Sequence, residues 1–419
     1  MLRYALSAWL LVCETLPAQP TAQPAAWPQW GGQTRDFHVP GVQLSEKWPA
    51  AGPPKIWERP LGGGHSQLAA AGSALYTMYR NGSSEVVVAL DAATGKTLWE
   101  HTYQAPFRSD APEHGSGPYA TPLIVGGRIF TTGATGKLHC LDQATGRVLW
   151  QKDLWGAEGG NHLVYGYASS PLAYRDLVIV PIGGSGKAFA AFRQNDGSVV
   201  WKRGDAVNSY SSPLVINVGG LDQLVCVMRA RVVSFNPLNG DLQWARPHPA
   251  EFGINIATPV WVPQPDGSGI LVVSSAYNAG TRAFRLKRDG PRVAVEDLWH
   301  SQKFYVRQTD LLHVGGVLYG ANGGAAIFHA ADLLSGAMLW QQRMLPRGNS
   351  LFAGGLLVIL DEDGQLTLAR PGAKGLQILS QAQVLSGESW TPPSLAGTRL
   401  YVRNGTTAAA LELGAVKTK

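Results

Sequence analysis

Ahead of a recurring pattern of one small or polar residue and a short apolar run, the chain places short groups that change from copy to copy. They are Gly64-His65-Ser66, Pro118-Tyr119-Ala120, Gly166-Tyr167-Ala168, Ser209-Tyr210-Ser211, Asn255-Ile256-Ala257, Arg307-Gln308-Thr309, Gly348-Asn349-Ser350 and Ser389-Trp390-Thr391. Four contain an aromatic ring, and His65 supplies a further flat side chain. Tyr, Trp and His offer an apolar face with a polar tip, and Asn and Arg add hydrogen-bond donors, so such a set suits a flat or sugar-like ligand. The same side chains would serve equally well as packing, and residue type alone leaves both readings open. The candidate ligand-binding residues are therefore His65, Tyr119, Tyr167, Tyr210, Asn255, Arg307, Asn349 and Trp390.

The two longest connectors before these groups run from His101 to Pro118 and from Lys152 to Gly166, and they carry Arg108, Asp110, Glu113, His114, Glu158, Asn161 and His162. Long connectors without regular structure are often functional. The histidines lack the close spacing of metal ligands, so no metal site is expected. Gly183-Gly184-Ser185-Gly186-Lys187 lacks the first Gly and the final Ser or Thr of a phosphate loop and reads as a turn between strands. Asp361-Glu362-Asp363-Gly364 is too short for a Ca²⁺ loop. The sequons at Asn81 and Asn404 matter only in a glycosylating host.

What must position these groups is a repeat. Val86 to Leu90 is rich in β-prone residues and leads into Asp91-Ala92-Ala93-Thr94-Gly95, after which a second run ends at Trp99. Asp can hydrogen-bond its own downstream backbone and Gly can take positive φ, so the five residues read as a hairpin turn. Trp recurs at 57, 99, 150, 201, 244, 299 and 340, with strides of 41 to 55 residues. Each interval holds four short strand patterns: an apolar segment such as Thr121-Pro122-Leu123, a second run such as Arg128-Ile129-Phe130-Thr131-Thr132, a third that leads into the turn and a fourth that carries the Trp. Four strands at this period are the signature of propeller blades. With 50 Gly, 27 Pro and 15% charged residues, and no sustained helical apolar spacing, the fold class is all-β.

The last repeat, from Thr391 to Leu413, supplies three strands, while Pro54 to Leu61 looks like a fourth strand without its hairpin. Joining them gives an eight-bladed propeller of four-stranded antiparallel blades, closed by an N-terminal strand so that no sheet edge is left open. The expected organisation is a signal peptide and Pro/Ala/Gln-rich segment at 1–26, an arm at 27–53, the propeller at 54–413 and a tail at 414–419.

The motif Ala-x-Asp-x-x-Thr-Gly-x-x-x-Trp at 89–99, with weaker copies at 140–150 and 330–340, resembles the tryptophan-docking motif of the pyrroloquinoline-quinone-like repeat propellers. That superfamily includes the quinoprotein alcohol dehydrogenases and the outer-membrane assembly factor B lipoproteins, and Trp27-Pro28-Gln29-Trp30-Gly31 is similar to the lead-in of exported bacterial members. The resemblance implies that Trp57, Trp99, Trp150, Trp201, Trp244, Trp299 and Trp340 dock each blade on the next. An indole buries roughly 150 to 250 Å² and brings one N–H to satisfy. It also implies that the first strand of each blade lines a central channel and that the variable groups form its rim. A quinoprotein dehydrogenase would need adjacent cysteines, a Glu and Asn for Ca²⁺ and an Asp base. Adjacent cysteines are absent and no such acidic set matches by motif, so neither pyrroloquinoline quinone with Ca²⁺ nor any other cofactor is expected.

Arg3 followed by the short apolar run Tyr4 to Val12 resembles a secretory signal, with cleavage after Ala18 or within the Pro/Ala/Gln-rich segment that runs to Ala26. Val12 precedes Cys13 where a lipoprotein signal has a small residue, so lipidation is not expected. No run reaches the roughly 20 apolar residues of a membrane span. The expectation is a periplasmic or secreted monomer. The net charge of +6 comes from scattered Lys and Arg with no basic run, which argues against nucleic acid. Cys140 and Cys226 lie in different repeats and read as buried free thiols. The expected role is a non-catalytic scaffold or binding protein whose partner is an envelope protein or a small-molecule or saccharide ligand; a quinone-dependent oxidoreductase is the alternative.

Overall fold

In the computed structural model, residues 26–110, 115–323, 326–343 and 347–415 are described. The signal segment and the tail beyond residue 415, as well as Glu113 and His114, lie outside the described residues. Eight sheets form the body. Blade 1, for example, runs outward through Ala69–Ala71, Ala74–Asn81, Ser84–Asp91 and Thr97–Gln104. Its inner strand is short and buried, and its outer strand alternates exposed and half-buried residues, as expected of a sheet with one wet face.

The eighth blade takes its inner three strands, Ser394–Ala396, Arg399–Arg403 and Thr407–Glu412, from the C-terminus and its outer strand, Lys55–Pro60, from the N-terminus. Trp57 stands opposite Ala410 and Pro60 opposite Thr407 in an antiparallel register. The ring is thus closed by the strand that the sequence leaves without a hairpin.

The hairpins explain why the blades form locally. Asp91 Oδ1 accepts from the Thr94 N–H at 2.8 Å and the Thr94 hydroxyl at 2.7 Å. Asp142 does the same with Thr145, and Asp332 with Ser335. Gly95 closes the turn at φ 69°. A β-carbon there would lie 2.7 Å from the ring of Trp57, the indole of the preceding blade, so the position requires glycine twice over.

The joints follow from this. Trp57, Trp99, Trp150, Trp201, Trp299 and Trp340 each donate their indole N–H to a backbone carbonyl of the next blade, at 2.9 to 3.2 Å. Trp244 departs from the expected docking. It is buried but donates to Gln223 Oε1 of its own blade at 3.1 Å. The cause is the fifth blade, whose outer hairpin strands, Gly280–Asp289 and Arg292–Ser301, are ten residues each. They carry the Asp289-Gly290 turn away from Trp244, and nothing lies within 4 Å of a β-carbon built at Gly290.

The N-terminal arm does more than pack against the body. It crosses the end of the central channel and touches the inner edges of five blades. Trp27 exchanges backbone hydrogen bonds with Ala70, and Ile124 N–H donates to Pro28 O. Arg35 donates to Pro171 O at 3.0 Å, Trp30 Nε1 to Thr258 Oγ1 at 2.8 Å, and His38–Val39 adds a parallel strand beside Phe352 and Ala353. Trp27 and Phe37 are buried, and Trp30 meets Phe37 edge-on at 5.4 Å. Cys140 and Cys226 are free and buried.

Candidate functional site

Beside the arm, at the mouth of the funnel, lies a cavity of about 380 Å³. Trp30 contributes to the lining from the arm. Around it stand His65, Tyr119, Tyr165, Tyr210, Tyr277, Arg307, Arg347 and Trp390, with Ile254 and Ile256 as apolar wall. Each blade delivers a side chain from the residues just before its inner strand, so neighbouring positions on the rim come from sequence segments some 40 or more residues apart; the fifth blade adds Tyr277 from the turn between its second and third strands.

One wall is a stack of flat groups. The rings of Tyr119 and His65 are nearly parallel, 5° apart in tilt, with centroids 6.0 Å apart, and His65 faces Trp390 at 5.6 Å. The Arg347 guanidinium then lies 5.3 Å from the centre of the Trp390 ring. Across the mouth, Tyr165 and Tyr210 form a second pair at 5.9 Å, and Arg307 lies 5.3 Å over Tyr277. Burial pushes the hydroxyls of Tyr119 and Tyr210 up to about 12, so both stay neutral at physiological pH; Tyr119 donates to Gly115 O at 3.3 Å, while the Tyr210 hydroxyl accepts from the Tyr165 N–H at 3.4 Å and keeps its own proton to donate.

The stack is held from behind by buried polar groups. Arg403, fully buried and without a carboxylate partner among the described residues, donates to Ser66 O, Met78 O and Gly64 O at 2.6 to 3.0 Å and so fixes the backbone on both sides of His65. Burial pulls its guanidinium down to about 9. Thr391 donates to His65 O, Asn349 to Trp390 O, and Trp390 Nε1 to Glu362 Oε2. Hydroxyls of Ser66, Ser169 and Ser211 each reach a carbonyl of the next blade, which accounts for the small polar residue that recurs at this point of the repeat.

Of the eight residues singled out in the sequence, His65, Tyr119, Tyr210, Arg307 and Trp390 line the cavity, whereas Tyr167, Asn255 and Asn349 do not. Tyr167 is fully buried and donates to Pro181 O at 2.8 Å; Tyr165, two residues earlier, occupies the mouth instead. Asn255 turns inward to Met228 O and accepts from Ser275, leaving its neighbours Ile254 and Ile256 on the wall. Asn349 supports Trp390 rather than facing a ligand. Among the connector residues, Glu158 pairs with Lys202 at 2.6 Å, Asn161 accepts from Asn208 N–H, and His162 stacks on Trp155. Trp30, Tyr277 and Arg347 have no counterpart in the sequence reading; only Trp30, inside the aromatic lead-in, carried a visible signal.

A closed ring of tryptophan-docked blades around an aromatic funnel defines the class of pyrroloquinoline-quinone-like repeat propellers. Residues 48–117 and 83–342 match the family described as outer membrane protein assembly factor BamB, and the chain belongs to that family. It is 27% identical over 139 residues to the quinoprotein alcohol dehydrogenase PedH of Pseudomonas putida, a stretch covering 31% of this chain and 23% of that one. It is 29% identical over 122 residues to a polyvinylalcohol dehydrogenase of Pseudomonas sp, covering 23% and 19%. The chain thus spans less than a quarter of these relatives. The fold is similar to that of BamB from Moraxella catarrhalis (TM-score 0.59, 19% identity, 86% of this chain and 99% of that one). It is also similar to a quinohemoprotein alcohol dehydrogenase from Comamonas testosteroni (TM-score 0.65, 13% identity, 94% and 82%).

Proposed function

We propose that this protein is a non-catalytic propeller of the bacterial cell envelope that captures a flat or sugar-like ligand in its funnel. The observation that carries the reading is the convergence of flat side chains from separate blades and from the arm on one cavity. Neutral tyrosines at its wall can stack on a ring and donate hydrogen bonds to it. Kinship with an outer membrane assembly factor supports a place in the envelope, where the rigid ring also offers a surface to a partner protein. No helix among the described residues is long and apolar enough to cross a membrane.

The test is retention of oligosaccharides by the purified protein. Tyr119→Ala and Tyr210→Ala are expected to lower it by about tenfold or more, as befits ring-stacking anchors, with the melting temperature little changed. Equal retention by wild type and variants would remove the reading. Tyr167→Ala is unsuited to this test because its ring is core.

A quinone-dependent oxidoreductase is the second reading, favoured by the relation to PedH. The residues fit it poorly. Among the described residues the cavity lining includes no Asp or Glu and no three His, Cys, Asp or Glu gather to hold a metal, and the sequence has no adjacent cysteines. No step through a quinone is therefore assigned. Stoichiometric uptake of pyrroloquinoline quinone with Ca²⁺, together with alcohol-dependent dye reduction, would establish this reading in place of the first.

A further inference from the structure

We propose that the funnel selects for a carboxylate carried on the ring of its ligand, and that Arg307 reads that charge. This rests on the ligand-capture reading and adds to it the chemical class of the ligand.

Among the described residues, the charged side chains that line the cavity are Arg307 and Arg347, with no carboxylate beside them in the lining. The two arginines are not equivalent. Arg347 is compensated: its Nη1 pairs with Glu362 Oε2 at 2.8 Å and its Nε donates to Gly323 O at 3.1 Å. Arg307 has no carboxylate within ion-pair distance among the described residues. Its Nε donates to the Tyr277 hydroxyl at 3.3 Å and its guanidinium carbon lies 5.3 Å from the centre of the Tyr277 ring, while its two terminal nitrogens have no hydrogen-bond partner among the described residues. A half-buried guanidinium is costly to leave unpaired and presents a planar fork that matches a carboxylate in two parallel hydrogen bonds.

The backbone brings the two cations together. Gly323, at φ 69°, sits under both stems: a β-carbon there would lie 3.0 Å from Arg307 Cβ and 3.3 Å from Arg347 Cγ. Glycine lets the stems pass side by side, and Glu362 offsets one of the two charges, so one net positive charge remains at this wall. The stacked faces of Tyr119, His65 and Trp390 lead up to it through Arg347. A ring lying against those faces would carry an acidic substituent toward Arg307. A sugar acid and an aromatic acid both present that chemistry, a carboxylate on a ring with an apolar face.

The experiment compares each acid with its neutral ester on the purified full chain, following the quenching of tryptophan fluorescence or the heat of binding. One pair is an oligogalacturonate and its methyl ester; the other is 2-naphthoate and its methyl ester. The acid of at least one pair is expected to bind about tenfold or more tightly than the ester, as for a charge-assisted bidentate contact, and the pair that shows this names the source of the carboxylate. Arg307→Gln should bring that ratio close to one, while Tyr119→Ala weakens acid and ester alike. Equal binding of acid and ester, still lost in Tyr119→Ala, would overturn the charge selection and leave the ligand pocket standing. Full discrimination by a folded Arg307→Gln variant would overturn the role of Arg307. No Tyr119-dependent binding of any of the four probes would overturn both.

Discussion

The joints between blades and the mouth of the funnel both use indole rings, yet they use them in opposite ways. At six joints the indole lies beside the next blade's turn and gives its N–H to a backbone carbonyl. At five of these joints a turn glycine lies directly under the ring, where a β-carbon would come within 2.4 to 2.7 Å of it. At the mouth, Trp390 gives its N–H to the carboxylate of Glu362 and stacks on His65 and Arg347, all side chains. A contact to backbone can be repeated in every blade whatever the surrounding residues. A contact to side chains is particular to its blade, which is why the joints recur in the sequence and the mouth does not.

The contrast predicts where substitutions should cost stability and where they should cost binding. The largest effect is expected from deleting residues 54–61. That removes the outer strand of the eighth blade, exposes the edge Thr407–Glu412 and opens the ring. Cooperative unfolding should be abolished, and a truncated chain with an unchanged calorimetric transition would show that closure is dispensable. Next is Trp150→Ala, which empties a buried site between Phe130 and Phe192 and should destabilise the fold by roughly 3 to 5 kcal/mol in urea unfolding. A loss below about 1 kcal/mol would mean that the joints are not where the ring is held together. Tyr119→Ala at the mouth, by contrast, should leave the same measurement within about 1 kcal/mol while lowering capture by about tenfold or more.

The same contrast decides what could be read in the sequence. The spacing of Trp57 to Trp340, the Asp-to-Gly turns and the missing eighth outer strand are repeated features, and repetition makes them legible without any structure. The exception at Trp244 was foreshadowed by a turn nine residues rather than four before Trp299, but the rerouted N–H was not, because it depends on where a long hairpin points. The mouth was legible only in part. In an extended segment, neighbouring side chains face opposite sides, so an error of one residue exchanges a wall residue for a core residue, as with Ile256 and Asn255, whereas Tyr165 reaches the mouth from a turn that precedes the buried Tyr167. Arg403 and Glu362 act through contacts between segments far apart in the chain, and nothing near them in the sequence marks that role.

Beneath the mouth, the channel offers the smallest effect and the sharpest sign. Asp310 lies beside the arm, accepting the Thr258 N–H at 2.6 Å, and burial pushes its carboxyl up to about 6 although Arg35 pulls the other way. A carboxyl whose folded value exceeds its unfolded value of about 4 favours the fold in its protonated form. Its contribution is complete below about pH 4 and is lost as the pH rises through 6. Buried histidines act in the opposite sense: His139 and His248 are pulled down to about 3 and His329 to about 4, so their contribution is lost as the pH falls below 6.5. Because the histidines titrate alike in wild type and in Asp310→Asn, their effect cancels when the two are compared. The asparagine keeps an acceptor for Thr258 and removes the ionisation. Relative to wild type it should therefore gain on the order of 1 to 2 kcal/mol between pH 4 and pH 7, read from urea midpoints at the two pH values. Parallel profiles would place Asp310 in water and the arm only loosely in the channel, and the joints alone would then account for the rigidity of the ring.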